Sequence, residues 1–171
     1  MYSYAVSQKP RISAIVTVLA ISVSAPFAYA GSATDVKFIK SDSFADMPYS
    51  HHARDDVMNE LQQHFAKLAA KLPSDQTLKI EVIDIDLAGR IEPNQIGLNI
   101  DMRILRGGAD WPRMKFTYSV ESQGKIVKTG AADVSDMNYL RSFNRYSANE
   151  PLRYEKKMLD EWFRKEISPA N

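Results

Sequence analysis

The sequence predicts an α+β domain: an antiparallel-rich sheet of about four strands covered by two helices, in the order β-α-β-(β)-β-β-α. Three observations carry that prediction. Residues 77–90, TLKIEVIDIDLAGR, alternate apolar and polar side chains with the period of a strand. Residues 52–72 contain no Pro or Gly, and Val57, Leu61, Phe65, Leu68 and Leu72 recur at the three-to-four spacing of one buried helical face. Residues 114–134 hold two alternating runs joined by Ser122-Gln123-Gly124-Lys125, the composition of a hairpin turn.

The elements follow in order. Residues 1–30 open with Lys9 and Arg11, continue through an apolar run over 12–27, and end in Ala28-Tyr29-Ala30, the pattern of a secretory signal peptide cut after Ala30. Ser13, Thr17, Ser22, Ser24 and Pro26 interrupt the run, which suits a leader better than a permanent span of about 20 apolar residues. Residues 31–171 then form the single α+β domain, with a first strand over 35–40 and a polar loop carrying Pro48. The first helix has Asp55, Asp56 and Glu60 early and Lys67 and Lys71 late, as the helix dipole favours, and stops at Pro73. In the strand after it, the apolar phase changes at Val82-Ile83: Leu78, Ile80 and Val82 form one set, Ile83, Ile85 and Leu87 the next. That change predicts either a bulge near 82–83 or a strand covered on both sides. Residues 91–112 carry Pro93, Gly97, Gly107, Gly108 and Pro112, so they read as a long connection with one short strand within 98–105. After the hairpin, Pro151 announces the last helix, in which Leu152, Glu155, Leu159, Trp162, Phe163 and Ile167 trace one face with Glu155 as its polar member.

Composition excludes several function classes. Loss of the leader removes two of the 22 basic residues and no acidic one, leaving 20 against 21 acidic and a net charge of −1. Such a balance supplies no whole-protein field for nucleic acid. The chain has no cysteine, so thiol chemistry, disulfides and a lipoprotein anchor are absent. Without a twin-arginine pair, the expected route is general secretion and the expected location the periplasm, with no transmembrane segment in residues 31–171.

Four polar constellations are candidates for chemistry. His51 and Asp55, and His52 and Asp56, stand four apart and share helix faces, but as a metal-ligand set they are incomplete, and a solvated helix start whose acids favour the dipole is the better explanation. Asp84 and Asp86 project from one face of a strand, roughly 6–7 Å apart at Cα. Paired carboxylates serve as acid and base or hold a cation. They also line solvent faces, or, if covered, need cations such as Arg141, Arg153 or Lys156. Asp133, Asp136 and Asn138 read as turn and capping residues. Arg103, Arg106, Trp111 and Arg113 put an aromatic among guanidinium groups, which suits an envelope protein, an anionic glycan or a lipid head group. No catalytic triad, phosphate loop or cofactor motif is present, and no cofactor is expected.

Asp84-Ile85-Asp86-Leu87-Ala88-Gly89, the broken connection, the Gly124-Lys125 turn, Leu152-Arg153-Tyr154-Glu155-Lys156 and Leu159-Asp160-Glu161-Trp162-Phe163 together resemble an uncharacterised family of exported proteins of Gram-negative bacteria, a domain of unknown function. The resemblance spans residues 36–167 and is weakest over 94–110. It implies a single-domain periplasmic protein and brings no activity, substrate or catalytic residue. The reading that follows is a non-enzymatic binding or assembly module of the cell envelope, presenting a sheet edge or the 91–113 loop. The alternative is a metal-dependent or acid/base enzyme using Asp84 and Asp86.

Overall fold

The computed structural model describes residues 33–92 and 102–168; the expected leader and positions 98–101 of the expected short strand lie outside the described residues. In chain order the elements are β1 (Ala33–Phe38), α1 (His51–Ala69), β2 (Gln76–Asp86), β3 (Arg90–Glu92), β4 (Met102–Ile104), β5 (Arg113–Ser122), β6 (Lys125–Ser135) and α2 (Arg153–Trp162), which continues as one π-helical turn over Phe163–Ile167. The main sheet has the order β1-β2-β5-β6, and β3 pairs with β4 in a separate ribbon. Four strands and two helices give the α+β layout the sequence predicts. The sheet, however, is mixed. β1 runs parallel to β2, because α1 carries the chain back between them and so supplies the crossover a parallel pair requires. The β2–β5 and β5–β6 pairings are antiparallel.

The change of phase in β2 is a bulge. Val82 pairs with Phe116 and Asp84 with Lys115, so Ile83 is the extra residue. The bulge keeps Leu78, Ile80, Val82, Ile85 and Leu87 on one buried face, whereas Ile83 is 50% exposed. This corrects the expected apolar set of Ile83, Ile85 and Leu87. The neighbouring edge changes hands at the same place. β1 ends with the Ile39 amide donating to the Val82 carbonyl, and after a short 3-10 turn the Asp46 amide donates to the Ile85 carbonyl. In the β5–β6 hairpin, Gln123 and Gly124 both have positive φ, 51° and 76°, the conformation that matches a two-residue turn to the twist of its strands.

Both helices cover one face of the sheet. Leu61, Phe65, Leu68 and Ala69 of α1 and Met158, Leu159 and Trp162 of α2 bury against Leu78, Ile80, Val82, Met114, Phe116 and Val120. Trp162 packs edge-on to Phe116 and Tyr118, with ring centroids 4.7 and 5.2 Å away. Gly130 of β6 makes room for Tyr118: a Cβ there would stand 2.7 Å from the phenol oxygen. The opposite face, with Glu81, Ile83 and Lys115, is exposed, as one side of an antiparallel-type sheet can be. Ser50 caps α1 through its hydroxyl, which accepts from the Ala53 amide. No helix among the described residues is long and apolar enough to cross a membrane.

Candidate functional site

The charged side chains of this protein are organised by α2. Glu155, Lys156 and Lys157 are buried, and Asp160 is mostly so, although consecutive charged residues on a helix ordinarily face water. Each reaches a different part of the fold.

At its N-terminal end, α2 closes a web around the turn after β2. Glu155 Oε1 accepts from the buried Ala88 amide at 2.7 Å. Burial pushes the Glu155 carboxyl above the usual carboxylate range, and the Ala88 bond offsets only part of this. Arg103, on β4, donates to the Ala88 carbonyl at 2.9 Å and to Asp46 Oδ2 at 2.8 Å. Gly89 has φ 82° and lies against the ribbon so closely that a Cβ would stand 2.6 Å from the Ile104 carbonyl oxygen. Behind Glu155, Lys156 Nζ donates to Glu60 at 2.9 Å and Glu150 at 2.6 Å. Burial pushes that ammonium down, but Glu150 and Glu60 more than offset it and hold it above the usual lysine range. Lys157 bonds Asp136 and Glu161, at 2.6 and 2.9 Å, in the same manner.

The residues singled out from sequence fall mainly on this closed side. Asp84 Oδ1 accepts from the Ala45 and Ile85 amides, at 2.9 and 3.0 Å, and so pins the incoming 44–47 segment beside the bulge. Asp86 pairs with Arg113 at 3.4 Å. Burial raises its carboxyl above the usual range despite Arg113, and Asp46 and Asp84 add to the rise. Neither aspartate pairs with Arg141, Arg153 or Lys156. The cations expected for them are differently placed, because Lys156 points between the helices toward Glu60, the Arg153 guanidinium lies over the Tyr154 ring at 5.2 Å, and Arg141 is exposed. In the loop group, Arg106 binds Glu92 at 2.7 Å and Arg113 stacks on Trp111 at 5.1 Å. Arg103, Arg106 and Arg113 thus all have internal carboxylate partners. His51, His52, Asp55 and Asp56 are exposed at the start of α1, with His52 Nδ1 3.5 Å from Asp56. Among the described residues no group of three or more His, Asp or Glu is placed to hold a metal ion. Asp136 accepts from the Asn138 amide, the turn role its sequence context implies.

At its C-terminal end, α2 meets the end of α1 and the 142–146 loop in an open arrangement. Asp160 Oδ2 accepts from Arg145 Nη2 and Tyr146 Oη, both at 2.6 Å. Asp160 Oδ1 lies 3.2 Å from Nε2 of His64, which is 3% exposed, without the alignment of a hydrogen bond. Burial pushes the Asp160 carboxyl up, but His64, Tyr146 and Arg145 more than offset that and hold it below the usual range. Two adjoining clefts of about 380 and 370 Å³ share Lys71, Arg145 and Asp160; Lys67 lines the first, Phe143, Glu161 and Arg164 the second. Lys67, Lys71 and Arg164 have no carboxylate within ion-pair distance among the described residues, and Lys71 sits over the Phe163 ring at 5.7 Å. The sequence offers one overlooked signal here. His64 stands three after Leu61 and four before Leu68, on the apolar stripe of α1, where a histidine must find a polar partner.

Comparison with known proteins agrees with the resemblance to a domain of unknown function. Residues 32–165 match the family model described as Protein of unknown function (DUF3016). Searches of curated proteins and of solved structures found no match. With the match spanning nearly the whole predicted domain, the chain belongs to the DUF3016 family.

Proposed function

We propose that the protein is an exported, non-enzymatic binding module of the cell envelope, and that its partner is anionic and docks on the basic face where α1 and α2 end. Export is supported by the leader-like residues 1–30, and the family match opens just beyond them, at residue 32. The observation that carries the binding surface is the unequal distribution of ion pairs. Arg103, Arg106 and Arg113 are held by Asp46, Glu92 and Asp86. Lys67, Lys71 and Arg164 surround two clefts whose acids, Asp160 and Glu161, are already held by Arg145 and Lys157. Cations that hold no direct ion pair around a concave surface attract anions, and the attraction falls with salt.

The test is retention of the protein on an immobilised sulfated polysaccharide, eluted with salt. A Lys67→Glu, Lys71→Glu, Arg164→Glu variant elutes much earlier, whereas Arg106→Ala with Trp111→Ala elutes with the wild type. Equal elution of the triple variant and the wild type would remove this face from consideration.

The second reading is a metal-dependent or acid/base enzyme at Asp84 and Asp86. One observation favours it: Asp86, its carboxyl raised by burial, lines a cleft of about 470 Å³ with Asp46, Asp110 and Arg54. Calorimetric titration with zinc, manganese and calcium separates the readings. Stoichiometric binding that is lost in Asp86→Asn supports the enzyme.

A further inference from the structure

At Phe143 the basic face meets a connection whose exposed apolar side chains the fold leaves uncovered. Met137, Leu140 and Phe143 are 69%, 43% and 87% exposed, three residues apart in the connection between β6 and α2. The backbone there is well tied. The Asn138 amide donates to Asp136, the Arg141 and Ser142 amides donate to the Asn138 carbonyl, and Asn144 Nδ2 donates to the Arg153 carbonyl. Tyr139, between Met137 and Leu140, points inward and donates its hydroxyl to Asp110 at 3.0 Å. Gly107 supports the turn from the other side, since a Cβ there would stand 3.0 Å from Leu140 Cδ1. The three side chains are therefore presented by a braced turn.

Cations interleave with them. Arg141 lies between Leu140 and Phe143, exposed and without a carboxylate in ion-pair range among the described residues. Phe143 lines one cleft together with Lys71 and Arg164. Apolar residues that reach below a surface, with arginine and lysine at its level, match the boundary between acyl chains and anionic head groups.

Resting on the anionic-partner reading above, we propose that the partner is an anionic phospholipid surface, with Met137, Leu140 and Phe143 inserting at the acyl boundary and Lys71, Arg141 and Arg164 contacting the phosphates. A soluble polyanion accounts for the cations alone; the exposed apolar row is what favours a lipid surface.

Co-sedimentation with vesicles tests the proposal. The protein pellets with phosphatidylglycerol-containing vesicles and stays in solution with phosphatidylcholine alone. Phe143→Ser with Leu140→Ser reduces binding more than about tenfold, as expected from losing the burial of large apolar side chains without a change of charge. Each of Lys71→Glu, Arg141→Glu and Arg164→Glu reduces it at least about fivefold, in a salt-dependent way. Because these positions are exposed, unchanged thermal unfolding certifies each variant, and Phe143→Ala serves as a milder replacement if the double serine variant melts early. No pelleting with anionic vesicles, or equal pelleting of the apolar variant, overturns the lipid proposal. If the wild type is nevertheless retained on the sulfated polysaccharide, the anionic-partner reading stands; if it is not, both fall.

Discussion

The two ends of α2 use the same kinds of residue to opposite effect. At the N-terminal end, Glu155, Lys156 and Lys157 are themselves buried, and each meets a group of the opposite charge or a buried backbone amide. At the C-terminal end one carboxylate, Asp160, accepts from both Arg145 and Tyr146 and lies beside His64, and the cations beyond it hold no direct ion pair among the described residues. Charges that close on one another are stability devices, because a buried ion stripped of its partner is costly. Charges left open at a surface add little to stability and remain free for recognition. The difference separates what holds this fold together from what it presents.

The largest expected effect breaks the closed end. Glu155→Leu orphans the buried Ala88 amide, so urea unfolding should show a loss of about 3 kcal/mol. Glu155→Gln keeps an acceptor for that amide and should cost far less. The raised Glu155 carboxyl also has a sign: its contribution is complete below the ordinary glutamate pKa and is lost as pH rises through the folded value. Glu155→Gln should therefore be relatively more stable at neutral pH than in acid.

Asp160 lies between the two behaviours and has the opposite sign. Its carboxyl is held low, so its contribution is present above the ordinary aspartate pKa and disappears as pH falls through the folded value. Asp160→Asn should cost about 2 kcal/mol at pH 7, where it weakens charged hydrogen bonds, and progressively less in acid. A loss that stays constant with pH would show that Asp160 acts through packing alone.

Asp84→Ala should cost about 1 kcal/mol, through the two amides it leaves beside the bulge. The smallest stability effect belongs to the open end: Lys71→Glu with Arg164→Glu should change unfolding by no more than about 0.5 kcal/mol while abolishing anion binding. A large stability loss there would erase the distinction between the two ends.

Much of the framework was legible locally. The Val82-Ile83 change of phase predicts a bulge or a strand covered on both sides, and the register of β2 on β5 contains the bulge, with Ile83 as its extra residue. Gln123-Gly124 predicts a tight hairpin, and both residues have the required positive φ. The direction of the β1–β2 pairing was not legible, because strand periodicity is the same in parallel and antiparallel sheets. The candidate site was less legible still. Arg103 looked like a recognition residue because it sits near Trp111 in sequence, yet it is a strut between Asp46 and the Ala88 carbonyl.

By itself, the sequence determined the elements whose signals are short-range: the apolar stripe of α1, the alternation of β2 and β5, the turn at 123–124 and the helix stop before Pro73. Only the tertiary structure decided which charges are enclosed and which are presented. Lys156 finds Glu60 at 96 positions' distance, and Glu155 finds Ala88 at 67. Periodicity reports the face of an element, but the worth of a charge depends on what stands opposite it once the elements have packed.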